Sequence, residues 1–290
     1  MKSGFVAIVG RSNVGKSTIL NALLERKVSI VVDKAQTTRN VIKGIYDDGD
    51  YQIVFVDTPG IHKAHHELGN IMNQEAFNSA KDVEAIILVA DASKRFDAGD
   101  QYISETISKD TPMFVVINKI DLVRLPEAKE MVEKYKEIYP HAKVLEMSAL
   151  ENFNVDTLLD EIKKILPEGP RFFPEDTISD KDANFYISEV IREKLLLTLK
   201  DEVPHDAAVK VTKIQNKKES VVIEATIVVD KDSHKGIVIG KGGKRLKAIG
   251  IKARTDLEEF YNKRIFLELF VSVKKDWLNN PRLLKELGYK

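Results

Sequence analysis

The sequence contains no cysteine. That excludes a disulfide framework and any thiolate metal centre, and it suits a reducing compartment. Long hydrophobic runs are missing too. The longest, such as Ile86-Ile87-Leu88-Val89-Ala90, fall far short of the ~20 residues that a membrane-spanning helix needs. Met1-Lys2-Ser3-Gly4 leads straight into a strand pattern, so no secretory leader is expected. The expected location is the cytoplasm, with a peripheral position at the inner face of the cell membrane left open. Net charge is also absent, with 45 Lys and Arg against 45 Asp and Glu. That balance hides an asymmetry. Residues 181–290 hold 23 basic against 16 acidic side chains, a net of +7, and residues 1–180 hold 22 against 29. From Ser233 to Thr255 there are seven basic residues and no acidic one, which points the C-terminal part towards a polyanion.

At 290 residues and 43% hydrophobic content, the chain is globular and has room for one large domain or two ordinary ones. Its most informative stretch is Gly10-Arg11-Ser12-Asn13-Val14-Gly15-Lys16-Ser17, which fits G-x-x-x-x-G-K-[ST]. The apolar run Phe5 to Val9 reads as a buried strand before it, and Ser17 to Leu24 as a helix after it. Glycines let a backbone close round a phosphate chain with its N–H groups inward, and the helix N-terminus adds partial positive charge. Lys16 would reach the β- and γ-phosphates and Ser17 would hold Mg²⁺. Thr18 completes the expected nucleotide-binding segment.

Further along, Val41–Tyr46 and Tyr51–Val56 read as a hairpin round Asp47-Asp48-Gly49-Asp50. Strand patterns follow near Ala85–Ala90, Met113–Ile117 and Lys143–Met147. They alternate with helical patterns near Gln74–Lys81, Ala98–Ser108, Pro126–Tyr139 and Val155–Leu166. Such alternation implies a mostly parallel sheet covered on both faces, with ligands at the carboxyl ends of its strands. The motifs at Asp57, Asn118 and Ser148 fall at such ends. Asp57-Thr58-Pro59-Gly60 places a carboxylate where it would hold Mg²⁺ through a water, and the Gly60 N–H where it would meet a terminal phosphate. Asn118-Lys119-Ile120-Asp121 places a carboxylate that accepts two hydrogen bonds from the N1–H and N2–H₂ edge of guanine, donors that adenine lacks there. Asn118 would brace the loop and Lys119 would lie against the base. The Ser148-Ala149-Leu150 turn would offer backbone N–H groups to the guanine O6. In Gln36-Thr37-Thr38-Arg39, one hydroxyl would reach Mg²⁺ and order its loop only in the triphosphate state. Thr38 is favoured and Thr37 is the competitor.

Gly10–Ser17, Thr38, Asp57–Gly60, Asn118–Asp121 and Ser148–Leu150 resemble, in order and spacing, the five G motifs of translation-factor-class GTPases. The P-loop Asn13-Val14-Gly15-Lys16-Ser17-Thr18 and the loop Gln36–Arg39 look most like the Era branch. Ile61 departs from the Ras-type pattern, in which a glutamine at that position orients water. The resemblance implies that Asn13 helps to bind K⁺ beside the phosphates. With Lys16, Thr38 and Gly60, Asn13 makes the expected catalytic set. It also implies that His62–Glu67 is the mobile loop that senses hydrolysis.

Leu166-Pro167-Glu168-Gly169-Pro170 ends the first domain, expected over 1–167, and a proline-marked linker is expected over 168–182. Residues 183–290 read as helix, two strands, two helices and a strand, with Gly240-Lys241-Gly242-Gly243 between the paired helices. That order resembles a type II KH domain. The expected fold class is thus an α/β P-loop GTPase domain followed by an α+β KH domain. The expected RNA contacts are Gly236, Ile237, Val238, Gly240, Lys241, Gly242, Gly243, Lys244, Arg245 and Lys247. Lys252 and Arg254 would add charge, and Ile237, Val238 and Ile249 would line a groove for about four unstacked nucleotides. The whole resemblance implies a GTPase of ribosome assembly that binds the 3′ end of 16S ribosomal RNA on the 30S subunit, and nothing in the sequence demands more than a monomer. Two alternatives remain at this point: an RNA-binding module whose nucleotide is structural, and a related GTPase that serves another RNA partner.

Overall fold

The computed structural model describes every residue except 35, 109, 200–202 and 290. Its contacts divide the chain into two compact units, one of Met1–Ala64 with Met72–Asp180 and one of His65–Ile71 with Lys181–Lys290.

The first unit is built on a six-stranded sheet ordered β2-β3-β1-β4-β5-β6. Its strands are β1 (Lys2–Gly10), β2 (Ile42–Asp47), β3 (Tyr51–Asp57), β4 (Ala85–Asp91), β5 (Met113–Asn118) and β6 (Lys143–Glu146). Only β2 runs antiparallel, as the outer arm of its hairpin with β3. Period-2 side-chain alternation splits β1 between two cores. Val6 and Ile8 join one core with α1 (Lys16–Leu24) and α5 (Val155–Ile165). Ala7 and Val9 join the other with residues of α2 (Glu67–Ser79), α3 (Ala98–Thr106) and α4 (Leu125–Ile138). Both faces are therefore covered, and the near-continuous apolar strands follow from that.

One sequence expectation changes here. The helix expected at 74–81 begins at Glu67, so it takes in the last residue of the loop expected at 62–67. Leu68, Met72 and Ala76 recur every fourth residue and are fully buried, a helical face that the 74–81 window cut in half. The proline-marked stretch after Pro167 is pinned to the first unit over most of its length, at Phe172 and Phe173 among other residues. Ser3 N donates to Pro167 O at 3.1 Å. Gln52 accepts from Phe172 N and Phe173 N at 2.7 and 2.9 Å. Ile45 N donates to Ile178 O at 2.9 Å. The open edge of β2 thus takes the strap as a partner, since unpaired edge groups favour pairing.

The second unit has a three-stranded sheet, β7 (Ala207–Asn216), β8 (Ser220–Val229) and β9 (Arg264–Val273), with β8 central. β7 is antiparallel to β8, and β9 is parallel to it. Residues from α6 (Ala183–Thr198), α7 (Asp232–Ile239) and α8 (Lys244–Tyr261) share one core with the sheet. A final short helix, α9 (Pro281–Glu286), follows Trp277, which is fully buried and donates its indole N–H to Asp206 O at 3.0 Å.

Candidate functional site

β1 ends at the centre of the first sheet, between β3 and β4, and the chain then turns through 10–15 into α1. Gly15 has φ = +100°, and a Cβ there would lie 2.2 Å from Asn118 Nδ2, so only glycine fits. The loops after β1, β3, β5 and β6 border one cleft of about 340 Å³, which takes in Lys16, Ser17, Thr38, Gly60, Asp121 and Leu150.

At one end three oxygen-bearing side chains converge. Ser17 Oγ donates to Asp57 Oδ2 at 2.7 Å and lies 2.7 Å from Thr38 Oγ1. Thr37 turns away, with its hydroxyl 2.6 Å from Lys34 O, so Thr38, the favoured of the two, is the one that reaches Ser17. Asp57 Oδ1 is buried without a hydrogen-bond partner. A buried oxygen with no donor, beside two hydroxyls, is a hard donor set of the kind Mg²⁺ takes. Burial pushes the Asp57 carboxyl up to about 6, opposed by Lys16 and by hydrogen bonds from Ser17 and Ser29. The same desolvation pulls the Lys16 ammonium down to about 8, opposed by Asp57. Lys16 Nζ donates to Gly10 O and Arg11 O at 3.2 and 2.7 Å. A buried cation satisfied only by carbonyls and a carboxylate left half unsatisfied both gain from an incoming metal–phosphate group.

At the other end, Asn118 ties two loops together, donating to Val14 O and accepting from Ala149 N, each at 3.0 Å. Lys119 stands in the left-handed region at φ = +63° and donates to Asn13 O at 2.6 Å and Asp91 Oδ2 at 2.8 Å. Ser148 Oγ donates to Asp121 Oδ1 at 2.6 Å and holds that carboxylate in the cleft wall.

Sequence reasoning missed several wall residues. Ile30, Val31 and Asp33 line the cleft, and Asn13 Nδ2 donates to Asp33 Oδ1 at 2.7 Å. Leu122 lines it while exposed. His62 joins Gln36 Nε2 at 3.0 Å to Gly60 O at 2.8 Å, linking the loops expected to order with the triphosphate. The only signal for Ile30, Val31, Asp33 and Leu122 was position beside a motif, whereas Gln36 and His62 lie in loops already expected to order. Ile61 is buried in the core, and its N–H donates to Gly10 O at 3.1 Å.

In the second unit, Gly240-Lys241-Gly242-Gly243 projects between α7 and α8, with Lys241 and Gly242 exposed and φ at +71°, +60° and +74° for its three glycines. Two groove residues expected from the sequence are not at the surface. Val238 and Ile249 are fully buried in the core, and Ile237, one helical step round, is exposed. Consecutive helical positions diverge by about 100°, so neighbours cannot share a surface groove. A groove of about 620 Å³ runs between α8 and β9, with Lys247, Gly250, Ile251 and Arg254 on one wall and Phe266 and Leu267 on the other. The i, i+3, i+4, i+7 spacing of that α8 wall was legible; the role of β9 was not. Arg245 donates to Ile237 O and closes the end of α7, so its guanidinium serves the loop.

Fold and site together define a P-loop GTPase domain joined to a KH domain. Residues 5–119 match the family profile described as 50S ribosome-binding GTPase, and residues 202–278 match the KH domain profile. The chain is similar over its full length to a solved Era in complex with MgGDPNP and nucleotides 1506–1542 of 16S ribosomal RNA. Identity is 38%, covering 100% of this chain and 99% of that one, with a TM-score of 0.96. A single-substitution variant of Aquifex aeolicus Era, bound to GDP·AlF4⁻, matches with the same identity, coverage and TM-score. The chain belongs to the Era family of GTPases.

Proposed function

We propose that this chain hydrolyses GTP and, in its GTP-bound state, grips single-stranded RNA from the 3′ end of 16S ribosomal RNA during assembly of the 30S subunit. One observation carries the reading. A carboxylate suited to guanine, Asp121, and a buried ammonium suited to phosphate, Lys16, line the same cleft as the Ser17–Thr38–Asp57 cluster. Residues 10–18, 57–60, 118–121 and 148–150 hold the nucleotide. Lys16 carries positive charge to the terminal phosphates, and the P-loop N–H groups stabilise charge that builds during transfer. Ser17, Thr38 and Asp57 hold Mg²⁺, which neutralises charge on the phosphate oxygens when bound. Asn13 donates its amide to Asp33, which leaves Oδ1, an oxygen of the kind K⁺ takes, for a K⁺ beside the phosphates. Thr38 and the segment after Gly60 order with the triphosphate. The charge split between residues 1–180 and residues 181–290 supports coupling of nucleotide state to RNA grip.

The choice of ribosomal subunit follows the relative crystallised with 16S RNA, which matches the whole chain, over the 50S description, which covers residues 5–119. Binding of a 16S 3′-end oligonucleotide with a GTP analogue and with GDP tests the reading, beside phosphate release in K⁺ and Na⁺ buffers. Equal RNA affinities remove the coupling, and equal turnover removes K⁺. Ile61, buried and unable to orient water, favours a second reading in which the nucleotide is structural. Absence of phosphate release with RNA and 30S subunits present would select it.

A further inference from the structure

Arg11 lies in the P-loop, yet its side chain is not among the walls of the nucleotide cleft. It lies on the other side of the loop, in a cavity of about 290 Å³ that also takes in Lys94, Asp97, Asp100 and Tyr135. Its Nη1 reaches Asp97 Oδ2 at 2.7 Å and Asp100 Oδ2 at 3.1 Å. Both aspartates belong to the cap of α3. Asp97 Oδ1 accepts from Gly99 N at 2.6 Å, and Asp97 N donates to Asp100 Oδ2 at 3.1 Å. α4 joins through Tyr135 Oη, which donates to Asp100 Oδ1 at 3.3 Å.

The fit is close. A Cβ on Gly99 would lie 3.0 Å from Arg11 Nε and 3.1 Å from its Cζ, so the guanidinium lies close against the first turn of α3. On the cleft side, Arg11 O accepts from Lys16 Nζ at 2.7 Å. One residue therefore meets the helix cap with its side chain and the phosphate-binding lysine with its carbonyl.

We propose that Arg11 is a positioning residue, whose clamp to Asp97 and Asp100 fixes the P-loop to the start of α3 and so aligns Lys16 for the γ-phosphate. The proposal rests on the nucleotide reading of the cleft. Lys16 also meets the β-phosphate of GDP, but the glycine-loop N–H groups hold that diphosphate independently of the clamp and GDP has no γ-phosphate to align, so the clamp acts on turnover more than on GDP binding. Small misplacements of a charged group are costly in transfer steps, on the order of 10²-fold per ångström.

The test uses the full-length chain with Arg11→Ala, Arg11→Lys, Asp97→Asn, Asp100→Asn and the double variant Arg11→Ala/Asp100→Asn. Asparagine keeps the helix cap while removing the charge, and lysine cannot span two carboxylates as a planar guanidinium does. Steady-state GTP turnover, GDP affinity and thermal unfolding are measured on each. The expected result is a kcat lowered about 10-fold in Arg11→Ala and Asp100→Asn, within the range that such misplacement gives. GDP affinity should hold within about 3-fold, which is under 1 kcal/mol. The double variant should be no slower than the worse single, as expected of partners in one contact, and Arg11→Lys should not restore the rate. An unchanged kcat in Arg11→Ala, multiplied losses in the double variant, or rate losses that only track unfolding would each overturn the proposal. A wild-type chain that binds no guanine nucleotide overturns the underlying reading with it, and wild-type titration separates the two failures.

Discussion

Asn118 donates its side-chain amide to the carbonyl of Val14, 104 residues away, at 3.0 Å in the buried floor of the cleft. This bond joins the loop after β5 to the P-loop, so the ends that would hold base and phosphate are one structure. Asn118→Ala would orphan the Val14 carbonyl and the Ala149 N–H together. Leaving a buried partner unsatisfied costs about 1–3 kcal/mol, so GDP affinity should fall about 10- to 100-fold, as measured by calorimetry. Gly15→Ala should fail more severely, since its Cβ would meet the same amide at a backbone angle that L-residues rarely adopt.

Asp121→Asn exchanges an acceptor pair for an acceptor and a donor. Guanine presents two donors there, whereas xanthine presents a carbonyl in place of the amino group. Preference should therefore move from GDP towards XDP, with GDP affinity falling by a factor on the order of 10³ or more. Competition titration reads this directly. Unchanged preference would place the base elsewhere.

Protonation should accompany ligand binding with opposite signs at two pH values. The folded, ligand-free chain holds the Lys16 ammonium down at about 8 and the Asp57 carboxyl up at about 6, both by burial. Lys16 therefore contributes to stability most fully above its unfolded pKa near 10.5, and that contribution is lost as pH falls through 8. Asp57 contributes most fully below its unfolded value near 3.8, and its contribution is lost as pH rises through 6. Between 6 and 8 both charges are present and both are poorly solvated. Phosphate restores the ammonium, so GDP binding near pH 8 should take up protons. Mg²⁺ favours the carboxylate, so Mg·GDP near pH 6 should release protons relative to GDP alone. Calorimetry in buffers of different ionisation enthalpy would measure both, and no proton exchange at either pH would contradict the burial of these groups.

RNA binding should separate into two kinds of contact. Lys241→Ala and Lys247→Ala should weaken all RNAs and each lower the salt slope by about 1. Ile251→Ala and Phe266→Ala, on opposite walls of the α8–β9 groove, change its shape without changing its charge, and Phe266→Ala removes a face on which a base can stack. Phe266→Ala should cost about 1–3 kcal/mol per stacked base with the salt slope nearly unchanged. An effect of Phe266→Ala that vanishes at high salt would show that the groove acts through charge alone.

Much of this was legible because the chemistry is local. A glycine loop between strand and helix, a carboxylate at a strand end and a Gly-Lys-Gly-Gly turn between helices each announce themselves within a short stretch of chain. The type and order of the elements followed from period 2 and period 3.6 in the apolar residues. Three particulars were decided by contacts between distant residues. The choice of Thr38 over Thr37 depends on which hydroxyl faces Ser17, across 21 residues. The burial of Val238 and Ile249 depends on the facing sheet, and the docking of 168–180 depends on the free edge of β2 and on Gln52. Sequence alone therefore determined the kinds of groups available and the elements that carry them. Only the tertiary structure decided which of them meet, because hydrogen bonds and burial act over a few ångströms while their partners lie far apart in the chain.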